Sequence, residues 1–162
     1  MRDSKDDDKL RKQNTMKIRK AAESDLKEIT RIFKGVFNER SYKDAWTNKS
    51  VYEHIMYEFK TGNIFVFNNK AKILGMVIVR TNIGPKHKIG EMIDLAVIKE
   101  YRNKGIGSVF LKGVEKLLKK EGYYGVSLET SNKSEAFNFY RKNKYRVSNL
   151  SKESKFMFKK LK

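Results

Sequence analysis

The chain has 162 residues, 39% of them hydrophobic, and its 37 lysines and arginines outnumber 19 acids for a formal net charge of +18. A chain of this size forms one domain that buries about 68–70% of its unfolded surface, enough for a core that needs neither metal nor disulfide. The lack of cysteine excludes a cysteine nucleophile, a thiolate zinc site and a disulfide scaffold.

Met1 to Thr15 mix Asp6-Asp7-Asp8 with Lys9, Arg11 and Lys12 and hold almost nothing apolar, which predicts a disordered tail or leader ahead of a domain over 16–162. Met16 to Ala21 reads as a short strand. Leu26, Ile29, Ile32, Phe33, Val36 and Phe37 then share one face of a helix that starts at Ser24 or Asp25. Ser50-x-x-Glu53 reads as the capping box of a second helix, with Ile55 and Phe59 inward and Gly62 as its left-handed stop. Ile64 to Phe67 and Ile73 to Val79 predict a hairpin turning on Asn68-Asn69, with Gly75 at a bulge. His54 and His87 are too far apart in sequence to suggest a metal site and are assigned no role. No apolar run approaches the roughly 18–20 residues that span a bilayer, and no hydrophobic leader is visible, so a soluble, cytoplasmic protein is expected.

After a loop over Asn82 to Lys88, Ile93 to Ile98 reads as a strand, and Ile106, Phe110, Gly113, Val114, Leu117 and Leu118 recur at helical spacing up to a stop at Gly122. Between them lies Arg102-Asn103-Lys104-Gly105-Ile106-Gly107. Glycines there let the backbone turn so that N–H groups of the first helical turn converge on one point. The helix N-terminus adds roughly 0.3–1 kcal/mol for an exposed anion and up to about 2 when the site is partly buried. This is a phosphate site, but of neither common nucleotide type. A P-loop needs lysine and a hydroxyl after its last glycine, where Ser108 and Val109 stand, and a dinucleotide fingerprint needs a third glycine, where Phe110 stands. A strand through Val126 and Leu128, a helix over Ser134 to Asn143, and strands over Tyr145 to Leu150 and Phe156 to Leu161 complete an α/β order.

The glycine loop matches the Arg/Gln-x-x-Gly-x-Gly/Ala signature of the GNAT superfamily of acyl-CoA-dependent N-acetyltransferases, and Asn132-Lys133-Ser134-Glu135-Ala136-Phe137-Asn138-Phe139-Tyr140 matches its later motif. Lys99 stands where proline is common there, and Lys144-Tyr145 where Gly-Phe is usual. From Met16 to the C-terminus the chain resembles that family. The resemblance implies a single-domain α/β (α+β) GNAT fold, a mixed, mostly antiparallel, twisted sheet of roughly six or seven strands with helices on both faces. It also implies an N-acetyltransferase, with acetyl-CoA as cosubstrate, no metal, and an amine acceptor.

Carried onto this chain, the resemblance gives the pyrophosphate to the amides of Asn103, Lys104, Gly105, Ile106, Gly107 and Ser108, with Arg102 and Lys104 adding charge. The backbone of Leu95, Ala96 and Val97 would pair with the pantetheine arm and polarise the thioester. Tyr140 is the implied general acid, since a phenol of pKa near 10 stays protonated at neutral pH; it also reads as a packed aromatic beside Phe137 and Phe139. Asn132 is either the cap of Asn132-x-x-Glu135 or a coenzyme A contact. The general base is Glu91 or Asp94, which strand alternation sends to opposite faces unless a bulge intervenes. With no covalent nucleophile evident, the implied mechanism is direct attack in a ternary complex.

The acceptor region falls roughly between Phe37 and Lys49 and between Asn149 and Lys155, where Glu39, Arg40, Tyr42, Asp44 and Trp46 suit a small amine, a peptide N-terminus or a lysine side chain. The alternative is a non-catalytic module of the same fold that senses acyl-CoA or docks ribosome or nucleic acid. From Arg141 to Lys162 nine Lys/Arg face one acid, Glu153. Because lysines also occur throughout the rest of the chain, compositional bias is the favoured reading over a nucleic-acid or ribosome contact. A homodimer is left open and no membrane partner is expected.

Overall fold

The computed structural model describes residues 16–39, 45–131 and 134–161. The expected tail over Met1 to Thr15, the coenzyme A candidate Asn132, and the acceptor-loop residues Arg40, Tyr42 and Asp44 lie outside them.

Seven strands form one sheet: β1 (Met16–Lys20), β2 (Ile64–Asn69), β3 (Lys72–Ile83), β4 (Lys88–Val97), β5 (Gly125–Ser131), β6 (Arg146–Leu150) and β7 (Ser154–Lys160). Their spatial order is β1-β2-β3-β4-β5-β7-β6, antiparallel at every pair except β4 with β5. Among the described residues, four α-helices cover it: α1 (Leu26–Phe37), α2 (Asn48–Lys60), α3 (Ile106–Lys120) and α4 (Glu135–Lys142). The mixed, mostly antiparallel GNAT-type sheet expected from the motifs is therefore present.

Several local boundaries differ from the expectations. Helix α2 is capped by Thr47, whose side chain accepts from the Ser50 N–H at 3.1 Å while the Ser50 hydroxyl accepts from the Thr47 N–H at 3.0 Å, so the box lies three residues upstream of the expected one. The β2–β3 turn uses Lys70, at φ 53°, because Asn68 and Asn69 continue the ladder as partners of Ile73 and Lys72. The Asn68 side chain donates to the Lys70 carbonyl at 2.7 Å and holds that turn closed. Strand β3 runs on through Ile83, so the expected Asn82–Lys88 loop shrinks to a short turn closed by Gly84 N–H to the His87 carbonyl at 3.0 Å. The bulge expected at Gly75 falls beside it, at Leu74, which is left between the pairs Phe67–Gly75 and Asn68–Ile73.

Cross-strand partners share a face, so the register sorts the layers. Arg80, Ile78 and Ala96 lie on the face covered by α1 and α2, where the wholly buried Glu58 of α2 accepts from Arg80. The other face carries Phe67, which stacks on Phe110 of α3 with centroids 5.2 Å apart, and Met92, which meets Tyr140 of α4. Ile29, Phe33, Ile55 and Ile78 fill the first layer, and Phe67, Phe110, Val126 and Met157 the second, all at or near zero exposure. At about 25 cal/mol per Å² of apolar area removed from water, each contributes on the order of 1.5–3 kcal/mol.

Candidate active site

Strand β4 changes character partway along. Its pairing with β5 runs from Ile89–Gly125 to Met92–Leu128 and stops there. Against β3, Val79 pairs with Met92 and Ile78 with Asp94, which leaves Ile93 as an extra residue. The bulge bends β4 away from β5. From Ile93 to Val97 the strand is thus paired on one side only, and its other edge faces a gap in the sheet. Ala96 is fully buried, while Leu95 and Val97 are half-buried beside that gap.

The glycine loop closes the far end of the gap. Gly105 is the N-cap of α3 at φ 75°, the left-handed region, and Asn103 also takes positive φ at 57°. Among the described residues, no N–H from Asn103 to Ser108 is donated to another protein group, so this stretch presents a row of outward donors at a helix N-terminus. Gly107 does a different job from the expected one. It sits inside the helix, and a Cβ there would stand 3.2 Å from the Phe139 ring, so its bareness lets α4 approach α3. Ser108 supports the same contact, its hydroxyl accepting from the Asn143 side chain at 3.0 Å.

The two cations assigned to the phosphates are placed unequally. Lys104 is exposed, its ammonium resting on the Glu100 carbonyl at 2.7 Å. Arg102 is committed within the protein: Nε donates to the Val97 carbonyl at 2.7 Å, both terminal nitrogens grip Glu39 at 2.7 and 2.9 Å, and its backbone N–H donates to Lys99. That grip, opposed by partial burial, holds the Glu39 carboxyl below its usual range. Arg102 therefore ties the loop to the end of the open strand and to Glu39.

Tyr140 is nearly buried, and its hydroxyl lies 3.8 Å from the Met92 sulfur, the last residue of β4 paired on both sides. Phe139 and Tyr145 pack edge-on against its ring at 5.2 and 5.6 Å. Its helix is capped by the Ser134 hydroxyl, which accepts from Ala136 N–H at 3.0 Å, so the cap expected of Asn132 belongs to Ser134.

The bulge decides the placement of the two acids. Because Ile93 is extra, Glu91 (opposite Arg80) and Asp94 (opposite Ile78) fall on the same face. Glu91 is exposed there. Asp94 is half-buried and lies 3.3 Å from Nε2 of His54, which reaches it from α2 across the layer. The His54 ring packs 5.2 Å from Phe33 and 5.3 Å from Trp46. Trp46 is tied back to Asn38 by bonds of 2.8 and 2.9 Å. Sequence reasoning assigned His54 nothing; its only signal was an inward position one turn before Glu58 on a helix that packs on β4. A carboxylate on the open stretch of β4 and a phenol at its boundary with the paired stretch thus lie on opposite faces, with a row of backbone donors at its end.

The region that holds these residues is similar to known proteins. The family described as Acetyltransferase (GNAT) family matches residues 26–145. An uncharacterized N-acetyltransferase of Chlorobaculum tepidum is 30% identical over 115 residues, 71% of this chain and 68% of that one. The PaiA N-acetyltransferase of Thermoplasma acidophilum, whose crystal structure is in complex with coenzyme A, superposes with a TM-score of 0.70 at 22% identity, over 90% of this chain and 98% of that one. A possible acetyltransferase from Clostridium difficile 630 superposes at 0.76 and 16% identity, over 85% and 94%. At those identities the two structures speak for the fold.

Proposed function

The chain belongs to the GNAT family of acetyltransferases, and on that premise we propose that it moves an acetyl group from acetyl-CoA to a primary amine by direct attack in a ternary complex. The observation that carries this reading is the row of undonated amides from Asn103 to Ser108 at the end of the one-sided edge of β4. Diphosphate on those amides directs the pantetheine arm along Ile93 to Val97, where it takes the place of a neighbouring strand.

Each remaining group then has a task. Asp94, oriented by His54, takes the proton as the amine nitrogen bonds to the thioester carbonyl carbon. A backbone N–H of open β4 donates to the oxygen as it becomes an oxyanion. Tyr140 gives its proton to the sulfur as the carbon–sulfur bond breaks. The acceptor lies on the face of Asp94, beside Trp46, where an aromatic ring and one carboxylate suit an amine on a short apolar stem. Small amines, peptide N-termini and lysine side chains all meet that description. Incubating the protein with acetyl-CoA and a panel of such amines while following free thiol tests it. Thiol release that depends on one class of amine is expected; coenzyme A that binds without any turnover would mark a sensor instead.

A further inference from the structure

Away from the gap, an open groove of about 1220 Å³ lies between α3, the segment joining α4 to β6, and β7. Nine of its sixteen lining residues are lysine or arginine, and Glu115 is its one acid. Lys112, Lys116 and Lys119 line one wall from a single face of α3 and span about 10 Å at 1.5 Å per residue. Lys142, Lys144 and Arg146 line the facing wall. The fold thus gathers lysines of α3 and of the chain beyond α4 around one groove.

Glu115 does little to offset this charge. Its carboxylate is shared by Lys159 at 2.6 Å and the buried Tyr145 hydroxyl at 2.9 Å, and burial together with that carboxylate pushes the Tyr145 phenol far above its usual range. Among the described residues, the other eight cations of the groove make no ion pair. Unpaired cations that face each other across a trough repel, and a linear polyanion lying between them removes the repulsion. The lining also rounds the end of β7 to Phe158 and Lys160, which alternate with Lys159 and so turn to the sheet face away from α3; there ring contacts run on from Phe158 to Tyr124 at 6.3 Å and to the exposed His87, stacked on Tyr124 at 3.9 Å with Lys160 over the same ring at 4.9 Å. Charge along a trough with rings at one end is the pattern that binds single strands, whose phosphates need cations and whose bases need flat faces. A membrane surface calls for a convex or flat face, and an acidic peptide has no use for the rings.

The geometry points to a single-stranded nucleic-acid site in this groove, separate from the amides of the glycine loop. Fluorescence anisotropy of a labelled twelve-residue oligouridine with the intact protein tests it. Binding is expected with and without saturating coenzyme A, weakening about 50-fold between roughly 50 and 200 mM salt if about four phosphates are held. Lys116→Glu with Lys142→Glu and Arg146→Glu should weaken it at least tenfold, with thiol release and melting temperature unchanged. The glutamine triple should give an intermediate loss should the glutamates unfold the chain. His87→Ala should weaken binding about threefold or more. Charge reversal of Lys27, Lys49 and Lys60, outside the groove, should do far less. The inference is overturned if coenzyme A displaces the oligonucleotide, if both triples bind it as tightly as the parent, or if polyglutamate or phosphatidylserine vesicles compete equally at matched charge. None of these outcomes touches the acetyl-transfer reading, which stands or falls on thiol release.

Discussion

Strand β4 holds two stretches with opposite duties. From Lys88 to Met92 it is paired on both sides, and its neighbours are ion pairs and packed side chains such as Arg80–Glu58. From Ile93 to Val97 one edge is unpaired, Asp94 on it meets His54, and Tyr140 touches Met92 at its boundary. One inserted residue separates them. The lesson is that a strand can serve as scaffold and as reactive edge at once, provided a bulge marks where the ladder ends.

Substitutions next to the open stretch should cost rate, and those next to the paired stretch should cost stability. The largest effect is expected from Tyr140→Phe, which should lower kcat by about 10²–10⁴ while leaving coenzyme A affinity unchanged in calorimetry. An unchanged rate would make Tyr140 a packing residue only. Asp94→Asn should lower kcat/KM about 10²-fold, equal to about 2.7 kcal/mol, with a melting temperature close to that of the parent. If it instead melts early at full rate, the two stretches do not divide as described.

Arg80→Ala should leave turnover intact and cost about 2–3 kcal/mol by denaturant unfolding, less than for a fully enclosed pair because water reaches Arg80. Its pH dependence provides a sharper reading. Burial alone would raise the Glu58 carboxyl, but Arg80 and Asn63 hold it below its usual range. In the parent this stability is present above the unfolded value of about 4.3 and is lost as pH falls through the folded one. Without Arg80 burial wins, Glu58 rises above its unfolded value, and acidification through that range should relieve part of the loss. The smallest effect is expected from Glu39→Gln, which loosens Arg102 and should weaken coenzyme A about two- to fivefold, as fits a pair that is about one-third exposed on each side.

What could be read from residues alone was local. The glycine loop, the helix after it and the later tyrosine motif are each contiguous, so spacing and composition reveal them. Even there Gly105 and Gly107 looked alike, and only the Phe139 ring distinguishes a turn glycine from a packing glycine. The bulge at Ile93 was illegible because register is a property of two strands, and with it went the side on which Asp94 lies. His54 and Asp94 stand forty residues apart and meet only because α2 folds onto β4. The basic groove needed α3 and the chain beyond α4 to be juxtaposed before its charges added up.

Arg102 grips the carbonyl that ends the open strand with one nitrogen and the carboxylate just past α1 with two others. On the proposed reading, the floor under one reactant and the rim around the other are therefore riveted together. On that proposed arrangement, occupancy on the thioester side would stiffen the doorway through which the amine arrives, and two-substrate kinetics should show compulsory order, with the nucleotide-bearing thioester first and its free thiol the last to leave.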